Sequence, residues 1–164
     1  MRRQAPIMES WDKLPAGASL TLAGRGDRVW SARMMAASEP WLTLGQDAAR
    51  IAAGLRQPGL EVWLAREANR RVALLALAPH GFAGSPYLKT LAVAPEARGH
   101  GWGSRLLHFA ETRFAGERWL FLLVSSFNTG AQRLYFRHGY KKCGELPGYL
   151  IPGQSEWILC QALK

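Results

Sequence analysis

The residues best placed to do chemistry form one stretch, Leu91-Ala92-Val93-Ala94-Pro95-Glu96-Ala97-Arg98-Gly99-His100-Gly101-Trp102-Gly103-Ser104. Its apolar opening reads as a strand, its middle as a loop with three glycines, and its end as the start of a helix. Glycine lets a backbone take positive φ angles and approach a ligand closely. The first turn of a helix carries N–H groups without an intrahelical acceptor, and the helix dipole adds partial positive charge there. A loop of this kind is suited to hold a pyrophosphate. Two other phosphate loops do not fit. A Walker A loop needs Gly-Lys-Ser/Thr before the helix, and none is present. The dinucleotide fingerprint needs a Gly or Ala where Ser104 stands, and an acid for the ribose that Val124-Ser125-Ser126 does not supply.

The elements that must position this loop can be read from periodicity and punctuation. Residues 19–23 alternate as a first strand, and Gly24-Arg25-Gly26 turns into a helix capped by Asp27 and running to residue 37. Pro40 disfavours helix at Glu39. Asp47 caps a second helix through residue 56, stopped by Pro58-Gly59. Residues 60–66 and 71–78 form a hairpin, and residues 87–93 a third strand of the central sheet. A helix over about 101–114 follows the glycine loop. Residues 119–124 are a continuous apolar run, as expected of a strand covered on both faces. Another helix ends near His138, with Gly139 as its left-handed stop, and residues 140–145 and 155–163 close the sheet. The order is mixed α/β, read as a single domain over residues 1–164.

Composition narrows the function. With 48% hydrophobic and 20% charged residues among 164, the chain reads as an ordinary globular protein. Its longest apolar runs, 72–78 and 119–124, are too short to span a bilayer. Met1-Arg2-Arg3-Gln4-Ala5-Pro6 has charge but no apolar stretch behind it, which argues against a secretory signal and for the cytoplasm. Cys143 and Cys160 lack a CxxC spacing and read as small core hydrophobes, not as a disulfide or metal ligands; no metal is implied. Lys plus Arg exceed Asp plus Glu by 21 to 12, a formal charge of +9. That surplus is dispersed, with Arg70-Arg71 and Lys141-Lys142 its longest internal runs. It fits a solvated surface or a polyanionic cofactor. The absence of a recognition helix, an aromatic RNA-binding motif or a dense basic stripe disfavours nucleic acid.

The pattern Arg98-x-x-Gly101-x-Gly103 follows Leu91-Ala92-Val93 and precedes Ser104-Arg105-Leu106-Leu107. It resembles the pyrophosphate motif Q/R-x-x-G-x-G/A of the GNAT superfamily of acyl-CoA N-acyltransferases. Downstream, Asn128-x-x-Ala131-x-x-x-Tyr135-x-x-x-Gly139-Tyr140 resembles that family's N-x-x-A-x-x-x-Y-x-x-x-G-F/Y element. The clear resemblance covers about 87–144. It implies a GNAT fold: a mixed, twisted central sheet with splayed middle strands, flanked by two N-terminal helices and two helices around a coenzyme cleft. It also implies acetyl-CoA as cofactor. In such enzymes the pantetheine arm enters the gap between the strand holding Leu91, Ala92 and Val93 and the strand over 119–124. An N–H there serves as an oxyanion donor. The amides of Arg98, Gly99, His100, Gly101, Trp102, Gly103 and Ser104 hold the pyrophosphate, Asn128 bonds the pantetheine, and Tyr135 faces the sulfur as general acid.

Elementary chemistry agrees with those roles. Residues seven apart on a helix share a face, so Asn128 and Tyr135 can meet one bound arm. A phenol with pKa near ~10 stays protonated at neutral pH and can donate to a developing thiolate. A thiolate of pKa around 8.5 leaves well by itself, so Tyr135 is expected near the low end of the usual ~10²–10⁴-fold for acid catalysis. Trp102, inside the phosphate loop, either packs under the helix or covers coenzyme. Trp63, Trp119 and Trp157 read as core.

The acceptor side is less constrained. A lysine of pKa ~10.4 costs about 4–5 kcal/mol to deprotonate at pH 7, and an α-amine near ~7.8 only about 1, so the first needs a positioned base. Glu39, Glu145, His108 and His138 are the candidates. His108 reads as helix surface or packing, and His138 as a cation at a helix end. Glu39-Pro40-Trp41 lies where the family shapes its acceptor pocket, and Tyr149 belongs to a late loop of similar standing. Glu39, Trp41 and Tyr149 are therefore candidate substrate contacts. The expected reaction is acetyl transfer to a primary amine, above all that of a small molecule, by direct attack in a ternary complex. Neither cysteine sits in a nucleophile setting. The alternatives are an acyl-CoA-binding regulatory module without turnover and transfer to a protein or aminoacyl-tRNA amine. Homodimers are common in the family.

Overall fold

The computed structural model describes residues 14–163, so the reading made on Met1 to Pro6 lies outside it. Among the described residues no helix is long and apolar enough to cross a membrane. The elements run β1 (Ala18–Leu22), α1 (Arg25–Ala36), α2 (Ala48–Gly54), β2 (Glu61–Glu67), β3 (Arg70–Phe82), β4 (Ser85–Val93), a 3₁₀ turn (Pro95–Ala97), α3 (Trp102–Arg113), β5 (Trp119–Ser125), α4 (Thr129–Arg137), β6 (Lys141–Pro147) and β7 (Ser155–Ala162). The strands form one sheet in the order β1-β2-β3-β4-β5-β7-β6. Neighbours are antiparallel except β4 and β5, which run parallel. The mixed α/β architecture read from the element order is the one observed.

Both faces of the sheet are covered. Met35, Ile51 and Leu55 from α1 and α2 pack on Val62, Leu64 and Leu74. On the other face Trp102, Leu106 and Leu107 of α3 pack on Leu75, Leu77 and Leu122, with Tyr135 of α4 in the same cluster. β3 lies inside the sheet between β2 and β4, and Ala73 to Leu77 are each 0% exposed, which is why its sequence is apolar without alternation. Burying each leucine contributes about 1.5–3 kcal/mol relative to leaving it exposed. This double burial fixes the sheet on which the cleft is built.

Two local readings are corrected. α1 begins at Arg25 with Gly24 as its N-cap, so Asp27 is the third helical residue and not the cap. Its carboxylate reaches back to accept the Gly24 N–H at 3.0 Å, and also takes Arg66 Nη2 at 2.6 Å and Arg71 Nε at 2.9 Å. Cys143 is exposed, not a core residue. It sits on β6, an edge strand with no further strand beside it among the described residues.

Asp27 makes the first testable point. Burial by itself would raise its pKa, but the hydrogen bonds from Arg71, the Gly24 amide and Arg66 outweigh that and hold it below the usual carboxylate range. A depressed folded pKa contributes stability that is present above the unfolded value near 3.8 and is lost as pH falls through the folded pKa. Asp27→Asn is therefore expected to cost about 1.5–3 kcal/mol at pH 7. Urea unfolding should show that deficit shrinking at pH values below the unfolded pKa. An equal deficit at acid pH would mean that only packing was lost.

Candidate active site

The site begins where β4 and β5 part. They pair only at Tyr87↔Phe121 and Leu88↔Leu122. Against β3, Leu88 opposes Leu77 while Thr90 opposes Ala76, so Lys89 is an extra, bulged residue of β4. A bulge increases local twist and bends its strand. β5 meanwhile stays paired to β7 through Ser125↔Glu156. The two parallel strands therefore diverge beyond Leu88, and backbone groups that would have joined a ladder face an open gap. The gap lies at the carboxyl ends of parallel strands, the usual ligand position of such sheets.

The glycine loop sits at the mouth of this gap. Gly99 and Gly101 have φ of +77° and +81°, a region costly for any residue with a Cβ. Gly101 is the N-cap of α3. Among the described residues, no backbone acceptor is recorded for any amide from Gly99 to Ser104; the first α3 bond of this kind runs from Arg105 N–H to Gly101 O. Six donors are thus gathered at the positive end of a helix dipole, and they fit a pyrophosphate. The loop is braced by its neighbours. Arg98 Nε donates to Val93 O at 3.2 Å, Arg105 Nη1 donates to His100 O at 2.6 Å, and His100 Nδ1 lies 3.3 Å from Ala97 O. Trp102 is 2% exposed, so of the two roles open to it the structure selects packing under the helix. Gly103 has a different use. A Cβ there would stand 3.0 Å from Leu134 Cδ2, so its absence lets α3 and α4 approach.

α4 brings the second set of residues. Asn128 is its N-cap, and its side-chain oxygen accepts the Ala131 N–H at 3.3 Å. Gln132 ties the helix to the end of β5, donating to Ser125 O and Ser126 O at 3.0 and 3.1 Å. Gly139, at φ +87°, ends the helical run as the sequence implied. Tyr135 is 6% exposed, and burial, with Tyr87 nearby, pushes its pKa well above the usual tyrosine value. Its hydroxyl therefore stays protonated across the physiological range.

A cavity of about 310 Å³ runs through the gap. Leu91, Asn128 and Tyr135 line it from the coenzyme-facing readings of the sequence, and Trp41 and Tyr149 from the acceptor-facing ones. Ala92 turns its side chain into the core under α1 and α2, and Val93 packs on the α3 side; only their backbones are available to the gap. Glu39 does not line the cavity. It is exposed, and its carboxylate accepts the Thr43 N–H at 3.2 Å, which closes a local turn. The other candidate bases stand away as well. Glu145 is exposed and paired with Lys142 at 2.5 Å, His108 is exposed on α3, and His138 caps α4.

Sequence reading missed most of the lining, including Tyr87, Ser125 and Glu156. Alternation sends Leu120, Leu122, Val124 and Leu159 into the α3/α4 core, leaving Ser125 and Glu156 on the opposite face. Glu156 is 4% exposed, and Ser125 Oγ donates to its Oε1 at 2.7 Å. Burial raises its pKa, only partly offset by that hydrogen bond. Burial likewise lifts Tyr87 to about 12, with Tyr149 and Glu156 adding to the shift, which places each of those two groups within electrostatic reach of Tyr87. The available signal was an acid inside the apolar strand Ser155-Glu156-Trp157-Ile158-Leu159.

Similarity to known proteins agrees with this fold. The family model for an acetyltransferase (GNAT) domain matches residues 58–142, more than half of the chain. A GNAT-family acetyltransferase structure from Desulfovibrio desulfuricans superposes with a TM-score of 0.73 at 19% identity, covering 90% of this chain and 99% of that one. The ribosomal-protein-S18-alanine N-acetyltransferase of Escherichia coli gives 0.71 at 15% identity, over 90% and 94%. An aminoglycoside 6'-N-acetyltransferase complexed with coenzyme A gives 0.68 at 15%, over 88% and 96%. No curated protein sequence matches this one. The chain belongs to the GNAT family of acetyltransferases, enzymes whose acetyl donor is acetyl-CoA.

Proposed function

We propose that this enzyme transfers the acetyl group to the primary amine of a small molecule, by direct attack with both substrates bound. The observation that carries the reading is an unpaired strand edge and a buried tyrosine at one cavity, together with six amides at a helix start in the loop that follows that strand. Acetyl-CoA supplies an acetyl group activated as a thioester. The amides of Gly99 to Ser104 bind its pyrophosphate, and Arg98 holds the loop to β4 through Val93 O. The edge of β4 over Leu91, Ala92 and Val93 that β5 leaves unpaired receives the pantetheine, and an N–H there polarises the thioester carbonyl. Asn128 keeps its oxygen on the α4 cap and offers amide hydrogens to the arm. Tyr135 gives its proton to the departing sulfur. Trp41 and Tyr149 flank the amine.

The cavity volume of about 310 Å³ is in the range of small-molecule sites, which supports a small acceptor. The test is incubation of the purified protein with acetyl-CoA and a panel of primary amines, following free thiol and the mass of the acetylated product. Thiol release that depends on the amine supports the proposal. Tight acetyl-CoA binding with no amine-dependent release would point to the regulatory module instead.

A further inference from the structure

We propose that the acceptor is a cationic primary amine whose ammonium is received by Glu156, between the rings of Trp41, Tyr87 and Tyr149. This rests on the acetyltransferase reading and names the substrate class of the same cavity.

Charge supports it first. Of the residues lining the cavity, only Lys89 and Glu156 carry formal charge. The Lys89 ammonium donates to Gln57 Oε1, and Gln57 lies outside the lining. Glu156 is thus the one acid of the lining, with the Lys89 ammonium tied to a neutral amide and not to it, in a protein with a formal surplus of +9. Glu156 is held in place from one side only. Ser125 takes Oε1, and among the described residues no hydrogen bond is recorded to Oε2. A carboxylate that is nearly buried and half satisfied favours a cation as its partner. The aromatic groups fit the same ligand, since ring faces attract ammonium groups. Tyr149 is 62% exposed, so it stands at the entrance without a packing role to justify it.

The position also serves the chemistry. An ammonium sheds two protons on becoming an amide, and the departing thiolate gains one, so one proton per turnover reaches solvent. Glu156 takes the first proton before attack and passes it to water. As the nitrogen bonds the acetyl carbon and the carbon–sulfur bond breaks, Tyr135 gives its proton to sulfur. The second nitrogen proton then replaces the one that Tyr135 has lost.

The experiment is calorimetric titration of the protein loaded with coenzyme A, using n-butylamine, putrescine, phenethylamine and the neutral isostere n-butanol. Wild type, Glu156→Gln and Tyr149→Ala are compared, with coenzyme A affinity measured in each. At least one amine should saturate the wild type while n-butanol does not. Glu156→Gln should weaken that amine by about 30-fold, and Tyr149→Ala by ~3–10-fold. Coenzyme A affinity should be unchanged in both. Should Glu156→Gln fail to fold, Tyr149→Ala at its exposed site and the butanol comparison still decide. Equal amine binding in wild type and Glu156→Gln, n-butanol binding as tightly as n-butylamine, or no amine saturating the wild type overturns the proposal. A wild type that does not bind coenzyme A overturns the transferase reading beneath it.

Discussion

Gly101→Glu should bind acetyl-CoA about 100-fold more weakly than the wild type. Two separate costs add up to this effect. Gly101 sits at φ +81°, where a side chain costs roughly 1–2 kcal/mol. The new carboxylate also competes with the pyrophosphate. A Cβ at this position would lie 3.4 Å from the Arg105 guanidinium, which would hold the acid across the amides at the start of α3. An anion tethered at a helix N-terminus gains about 0.3–1 kcal/mol there, and its displacement must precede binding. Gly101→Ala carries only the conformational cost and should lose roughly 10-fold. Calorimetry on the three proteins separates the two contributions. Wild-type affinity in Gly101→Glu would place the pyrophosphate elsewhere and remove the main role assigned to the glycine loop.

Tyr135→Phe should lower kcat by about 100-fold while leaving acetyl-CoA affinity within about twofold. The phenyl ring keeps the packing of Tyr135 against Tyr140, whose ring centroid is 5.8 Å away, so stability should barely change. What disappears is the proton offered to the departing thiolate. Since a thiolate of pKa around 8.5 is already a fair leaving group, the effect stays near the lower end of acid catalysis. The pH dependence provides a second readout. Burial raises the Tyr135 pKa above its ordinary value of 10.0, so its acid form persists as pH rises through 9 and activity should show no basic limb there from this residue. Equal loss of kcat and of coenzyme affinity would assign Tyr135 to packing of the cleft instead.

How much of this was legible in the chain follows the range of the forces involved. The order of strands and helices could be read because alternation, caps and glycine stops are local: Asp47 accepts the Arg50 N–H at 2.8 Å and Gly139 takes a left-handed φ, as their types implied. The glycine loop and the Asn128–Tyr135 helix were legible for the same reason. Each is a short segment whose spacing determines which backbone groups are free and which side chains share a face. By itself the sequence determined the family, its acetyl donor, and the loop and helix proposed to hold that donor.

The tertiary structure decided which distant side chains meet at the cavity. Asp27 looked like a cap, but Arg66 and Arg71, about forty positions downstream, join Gly24 in holding its carboxylate. The bulge at Lys89 is invisible in an apolar run, since it exists only in register with β3. Glu39 and Glu156 show the difference most clearly. Glu39 stood at a kinked junction, yet its carboxylate is engaged in its own turn. Glu156 looked like one acid in a strand, and became a cavity residue only when β7 paired with β5 and set it beside Ser125. A donor cradle is made of consecutive backbone amides and can be written into fourteen residues. The cavity lining comes from side chains of distant segments, and only the folded sheet brings them to one place.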